Sequence, residues 1–302
     1  MKSQFCLVLA VLAVPATAQA QEFGGGITLS YGMIDSDDDS TDISSTSIDG
    51  RFNLAFENGV DVALEVGTIN IGIEDVPFDL TGDFVALDVG YRMSNGMTLG
   101  GYVEQLSVGI DVISDDLTLK SYGLSAGYEM DDVDLGVFVG RSKTDPDIGI
   151  DVKNFGLTAQ YAAAPNLTFG GAYLNANLES GGADLDVSFT GIAATYAFTD
   201  AIVAFGGFSR SSIDIADVDI DTLGIGLGYD LSEMAGFATT VSLELARTTL
   251  SSGGFDSDVD TLRLGLTVPL GQKGSSLPIN SVADSILNPR HGAINAALTS
   301  AF

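Results

Sequence analysis

From Gly26 to Leu270 apolar and polar residues alternate with a period of two, in runs of roughly 9 to 13 residues. Ile27, Leu29, Tyr31 and Met33 interleave with Thr28, Ser30 and Gly32, and Val85, Leu87, Val89, Tyr91 and Met93 with Ala86, Asp88, Gly90 and Arg92. Leu262, Leu264, Leu266, Val268 and Leu270 repeat the pattern against Arg263, Gly265 and Thr267. Successive side chains of a strand point to opposite faces. Each run therefore predicts a strand with one greasy face and one face of glycine, small polar and occasional charged residues. The phase slips by one between Val66 and Ile69 and between Leu119 and Tyr122, which predicts β-bulges at those two places.

A recurring phrase ends many of the runs: a small residue, an aromatic residue in alternation, then a turn. Tyr91, Tyr128, Tyr161, Tyr196 and Tyr229 stand in it at spacings of 37, 33, 35 and 33, and Phe56 precedes Tyr91 by 35. A fixed period in this range marks one supersecondary unit repeated. Tight connections follow the phrases at Asn58-Gly59, Asn95-Gly96, Asp131-Asp132, Pro165-Asn166, Thr199-Asp200 and 232–236. Seven looser connections lie between them, at 35–42, 74–83, 111–116, 145–151, 179–186, 214–221 and 256–260, and they hold 25 of the 41 acidic residues. Seven loose and six tight connections predict fourteen strands, with twelve and sixteen as the neighbouring even counts. The aromatic residues fall at one height, where an apolar ring with a wet edge suits a membrane–water interface.

Targeting and charge sharpen this picture. Met1-Lys2, the apolar run Phe5–Val14 and the small-x-small site Ala18-Gln19-Ala20 predict a cleaved secretory leader over residues 1–20. The single cysteine, Cys6, lies inside it, so the exported chain must be held by backbone pairing and burial without disulfides. No later stretch is long and apolar enough for a membrane helix. The formal charge of −29 excludes nucleic acid as a partner. It sits beside a positive mean hydropathy of +0.29, an odd pairing for a soluble globule.

Lipid leaves no polar partner for an open sheet edge, so a spanning sheet must close. The reading is all-β: a closed antiparallel transmembrane β-barrel over residues 21–270, with a tail over 271–302. The chain resembles a Gram-negative outer-membrane β-barrel of the porin kind, closest in style to the porins of alphaproteobacteria. The segment Arg263-Leu264-Gly265-Leu266-Thr267-Val268-Pro269-Leu270 resembles their last-strand assembly signal. Such barrels usually end on that strand. Here the tail continues, with weak helical stretches at 281–287 and 293–301 that are expected in the periplasm or tucked into the barrel. No connection is long enough for an obvious inward-folded constriction loop, and there is no Trp.

If the apolar phase meets lipid, the other phase lines a lumen. That assigns Arg51, Asp61, Glu65, Asp88, Arg92, Glu104, Lys120, Glu129, Asp134, Arg210, Glu244 and Arg263 to the inner wall. Opposite charges gathered on different parts of the wall, with Lys153 joining the basic group, would set a transverse field across the pore. Arg141 and Arg247 share the lipid-facing phase near the loop end, where they would meet lipopolysaccharide phosphates. Asp37, Asp38 and Asp39, and Asp217, Asp219 and Asp221, are candidate weak sites for Ca²⁺ or Mg²⁺, although neither set matches an EF-hand loop. The single histidine, His291, reads as a solvated tail residue, and no nucleophile elbow or mature cysteine supports an enzyme.

The expected function is an outer-membrane channel for passive diffusion of small hydrophilic solutes and ions, with an acidic mouth that favours cations. The alternative is a non-conducting structural or adhesive barrel closed by side chains and the tail, its acidic loops the working surface. Outer-membrane lipid and lipopolysaccharide are the expected surroundings, and the porin resemblance implies a homotrimer.

Overall fold

The computed structural model describes residues 20–36, 39–74, 76, 78–110, 116–180, 183–214, 218–271 and 273–301. Fourteen strands follow one another in chain order: β1 Ala20–Ser36, β2 Asp39–Phe56, β3 Val60–Ile73, β4 Leu80–Arg92, β5 Met97–Ile110, β6 Leu117–Met130 and β7 Val133–Asp145, then β8 Asp151–Ala164, β9 Leu167–Ser180, β10 Ala183–Ala197, β11 Ile202–Ile213, β12 Val218–Asp230, β13 Thr240–Ser252 and β14 Phe255–Gly271. Each pairs antiparallel with its neighbours, and β14 closes on β1 from Gly26↔Pro269 to Ser36↔Val259. No backbone edge faces lipid, as a spanning sheet requires. The predicted leader lies outside the described residues except for Ala20, which begins β1.

The six tight turns fall where the sequence places them. At two of them an Asx side chain makes the turn: Val60 N–H donates to Asn58 Oδ1 and Met97 N–H to Asn95 Oδ1, both at 3.1 Å. The sixth carries a one-turn helix, α1 Ser232–Ala235. The other end differs from expectation. At 35–42, 179–186, 218–221 and 256–260 the described residues are strand rather than loop. β1, β2 and β14 reach 17, 18 and 17 residues, well beyond the roughly 9–11 that cross hydrocarbon. The ladder therefore runs on into solvent, where the carboxylates of its ends are hydrated.

Neither predicted bulge exists. Pairing is continuous through Val66–Ile69 and Leu119–Tyr122, and shifts occur instead at Ala20/Glu22, Ile34/Ser36 and Ala162/Ala164. The sequence inference failed because it equated apolar with lipid-facing. With an unbroken ladder, Ile69 and Leu119 point into the barrel, and Leu119 packs on Phe84, Ala86 and Leu106.

On the outer face Leu29, Val89, Val103, Leu124, Ile192 and Ile225 are exposed, as lipid contact demands. Tyr91, Tyr128, Tyr161, Tyr196 and Tyr229 are exposed just ahead of the tight turns, with Phe56 half-buried in the same place. The inner face carries hydroxyl ladders, among them Thr28–Thr267 at 2.9 Å and Ser121–Ser142 at 2.6 Å.

After β14 the chain reverses at Gly271 (φ 72°), where a Cβ would strike the Phe23 carbonyl. Only glycine takes that conformation without strain there. A two-residue strand, β15 Lys273–Gly274, pairs parallel to β1, and Ser275 N–H donates to Gly25 O at 2.9 Å. The chain then enters the barrel and forms α2 Val282–Leu287 and α3 Ala293–Ala301 inside it.

Candidate functional site

The lumen is the site, and strand register decides which side chains reach it. Glu104 touches the inserted tail and pairs in register with Ser121, so Ser121 faces inward and Lys120 outward. Gly207 faces the tail, so Ser209 is inward and Arg210 outward. The same parity puts Arg51, Asp61, Glu65, Asp88, Arg92, Glu104, Glu129, Asp134, Glu244 and Arg263 on the inner wall. Lys120 and Arg210 thus depart from their expected place: Lys120 pairs with Asp145 at 2.6 Å and Arg210 with Asp221, on the outer face at the loop end. Lys153, paired with Glu179, stands there too, as do Arg141 and Arg247.

The inner charges stand largely in local pairs. Arg51 Nε donates to Glu65, while Arg51 Nη1 and Nη2 grip Asp284 of α2 at 2.9 Å each. Arg263 Nη1 donates to Glu244 Oε2 at 2.5 Å and to the Asn280 carbonyl at 2.8 Å. The other carboxylate oxygen of Glu244 accepts from Val282 N–H at 3.0 Å, at the start of α2. Ser281 caps the same helix, its hydroxyl accepting from Asp284 N–H at 3.1 Å. Arg92, nearer the tight-turn mouth, bridges Asp61 at 3.1 Å and Glu129 at 3.2 Å and is half exposed.

His291 is not the solvated residue that its position suggested. Its Nδ1 lies 2.8 Å from Glu104 Oε1 and its Nε2 3.3 Å from Asp88 Oδ1. Its own N–H also donates to Glu104, and Asn295 donates to the remaining Glu104 oxygen at 3.1 Å. The ring stacks on Tyr102 (3.9 Å, 9°) and meets the Phe138 ring edge-on at 4.7 Å. Two ring nitrogens each facing a carboxylate can both donate only in the imidazolium form. Burial disfavours that charge, but the Glu104 hydrogen bond and the charges of Glu104, Asp88 and Glu65 outweigh it and move the pKa up. Beside it Arg290 lies 3.6 Å over the Phe84 ring, in the field of Glu65, Asp49 and Glu104.

The opposite flank holds the tail by shape. Val282 and Ile286 are fully buried, and Leu287 nearly so, against Ala172, Leu174, Phe189, Ala193 and Phe205. The helix comes this close because four neighbouring strands present glycine. A Cβ on Gly191 would meet Ile286 at 2.6 Å, on Gly207 at 2.8 Å, and on Gly224 Val282 at 2.7 Å, while on Gly170 it would strike Leu287. Gln160 completes the seat by donating to the Leu287 carbonyl at 2.7 Å.

Beneath the tail, at the tight-turn mouth, lies an open cavity of about 360 Å³ bordered by Asn53, Asp61, Asp88, Arg92, Thr98 and Ser125 among others. The candidate cation ligands gather less well. Asp37, Asp38 and Asp217 lie outside the described residues, as does the side chain of Asp39. Asp219 accepts from Ser212, and Asp221 from Arg210. Among the described residues no group of three acidic or imidazole side chains converges on a metal position. Sequence reasoning missed Asp284, Arg290, Asn295 and the glycine seat. The available signal was four ionisable residues, Lys273, Asp284, Arg290 and His291, in an otherwise weakly polar tail.

The sequence profile of the Gram-negative porin family matches twice, over residues 22–168 and 78–251. No curated protein matches the chain. Among solved structures the chain is similar to an anion-selective porin from Comamonas acidovorans, at 9% identity and a TM-score of 0.54, covering 82% of this chain and 98% of that one. It is also similar to a Pseudomonas aeruginosa FadL homologue, at 10% identity and a TM-score of 0.53, covering 82% and 90%. Those likenesses show the fold, and the family profile spans three quarters of the sequence. A closed fourteen-strand barrel with lipid-facing aromatics and a polar inner row completes the argument: the chain belongs to the Gram-negative porin family of outer-membrane channels.

Proposed function

We propose that the protein passes small hydrophilic solutes and ions across the outer membrane by passive diffusion, with a preference for cations. The closed barrel with a wet, charged inner face carries this reading. The preference is supported by the tight-turn vestibule, where Asp61, Asp88, Glu129 and Asp134 outnumber Arg92. Acidic strand ends at the opposite mouth add potential of the same sign. No covalent step is involved. The leader over residues 1–20 would deliver the chain to the membrane, where the outward Arg141 and Arg247 face lipopolysaccharide. Weak Ca²⁺ or Mg²⁺ binding at the acidic ends and assembly as a homotrimer belong to the same reading.

The test is the reversal potential of the purified protein in planar bilayers under a KCl gradient. Cation selectivity is expected, moving toward zero in Asp61→Asn with Asp134→Asn. An anion-selective wild type would sink the preference. One observation favours a second reading, a non-conducting structural barrel: the tail crosses the lumen from wall to wall. A bilayer silent under every condition, including for a chain lacking the tail, would favour it.

A further inference from the structure

The tail meets the wall on most of its strands. Ile279 and Asn280 contact β1 and β2 through Thr28, Ser30 and Ser47. Asp284 reaches β2, Val282 N–H reaches β13, and His291 reaches β4 and β5. The apolar side of α2 fills the glycine seat on β9 to β12. Charge is matched as well as shape. Without the tail the wall here carries five carboxylates, Asp49, Glu65, Asp88, Glu104 and Glu244, against two guanidiniums, Arg51 and Arg263. The tail places Arg290 and His291 on the acid-rich side and Asp284 against Arg51.

We propose that the C-terminal segment from Ser275 onward is a tethered plug of the channel, seated in the glycine groove of β9–β12, and that its release opens the lumen and is driven by loss of the His291 proton. This rests on the channel reading above. It gives the tail the place of the constriction loop that the barrel's own connections are too short to form. Release needs little covalent freedom, because the tail leaves β14 at a single reversal, Gly271, and its strand pairing with the wall is the two-residue β15.

His291 is suited to trigger release by what surrounds it. Glu65 on β3, Asp88 on β4 and Glu104 on β5 are acidic, Arg290 in the tail is basic, and Tyr102 and Phe138 are neutral. Deprotonation leaves Asp88 and Glu104 facing each other with one fewer cation between them. The sign follows from the raised pKa of His291. Its contribution to seating the plug is fully present below about pH 6.5, the unperturbed value, and is lost as pH rises through the raised one. Alkaline conditions should therefore open the channel, by at most about tenfold in open probability per pH unit for one proton.

The experiment uses the full chain in planar bilayers from pH 5 to pH 9, beside three variants. Full-length protein is expected to be mostly closed at low pH and to open as pH rises. His291→Gln should lose that pH dependence. A chain ending at Gly274 should conduct at all pH values in larger steps. Should the truncated chain fail to assemble, Gly191→Val overfills the seat with a residue that strands accept, and it should reproduce the open behaviour. Equal steps and an equal pH profile in full-length and plug-free channels would overturn the proposal. A wholly silent set would instead defeat the channel reading, and a second measurement then still decides the plug. Ser285→Cys, in a chain whose only native cysteine is Cys6, should react with a maleimide slowly at pH 5 and faster at pH 9. Labelling that does not change with pH would overturn release.

Discussion

The two flanks of the lumen hold the same segment by different physics. On β9 to β12 the wall offers glycine and apolar side chains, and the tail answers with Val282, Ile286 and Leu287. On β2 to β5, with β13 and β14, the wall offers Arg51, Asp88, Glu104, Glu244 and Arg263, and the tail answers with Asp284, His291 and backbone groups. The apolar flank has no orientation preference finer than close packing. The charged flank fixes which tail residue stands where, because each buried charge is costly unless its partner arrives. Shape supplies the seat and charge supplies the register.

The largest way to break this comparison is to remove a buried charge from the wall. Arg51→Ala leaves Glu65 and Asp284 buried without their cation. The loss should be about 3–5 kcal/mol, as for the breaking of buried ion pairs elsewhere. Thermal unfolding in detergent, followed by the shift between folded and unfolded electrophoretic mobility, would read it. A change too small to detect would mean that the tail is not seated on Arg51 in solution. Arg51→Ala with Asp284→Ala should recover part of the loss, since the tail charge no longer needs a partner.

The apolar flank comes next. Ile286→Ala should cost about 2–4 kcal/mol in the same assay, through lost contact and the cavity left under the glycine seat. Here the flanks can be separated by a complementary change. Gly191→Ala alone should destabilise, because its Cβ would meet Ile286 at 2.6 Å. In the Ile286→Ala background the same methyl occupies the vacated space and should stabilise. Additive losses would show that the two residues do not touch.

How far this was readable beforehand depends on which face a residue serves. Turn residues such as Asn58-Gly59 and Asn95-Gly96 act on the backbone within two residues of themselves, so the strand count followed from them. The outward tyrosines were equally plain, since lipid and water select them without reference to any other part of the chain. The inner face is different, because its chemistry is set by what fills it. Phe205 and Phe208 lie three residues apart and cannot share a face; Phe205 is 2% exposed inside and Phe208 40% exposed outside. Leu119 points inward for the same reason, and the imagined bulge that moved it outward also misplaced Lys120. Nothing local announces that 281–301 should fold into the lumen. That information lies in glycines on four separate strands and becomes a groove only in register.

The smallest expected effect concerns the outer pairs, and it sharpens the contrast with the buried ones. Lys120 and Asp145 are joined at 2.6 Å, shorter than the Arg51–Asp284 contacts, yet their side chains are 52% and 63% exposed. Water already solvates both ions, and ordering a long lysine offsets much of the attraction, so the pair should contribute less than about 1 kcal/mol. Lys120→Gln is therefore expected to leave thermal stability nearly unchanged in detergent at moderate salt, where screening acts on exposed charges. Arg51→Ala, at a contact of similar length, should fail the same assay. If the two variants lost equal stability, distance rather than desolvation would govern these ion pairs, and the division between a charged inner flank and a hydrated outer rim would collapse.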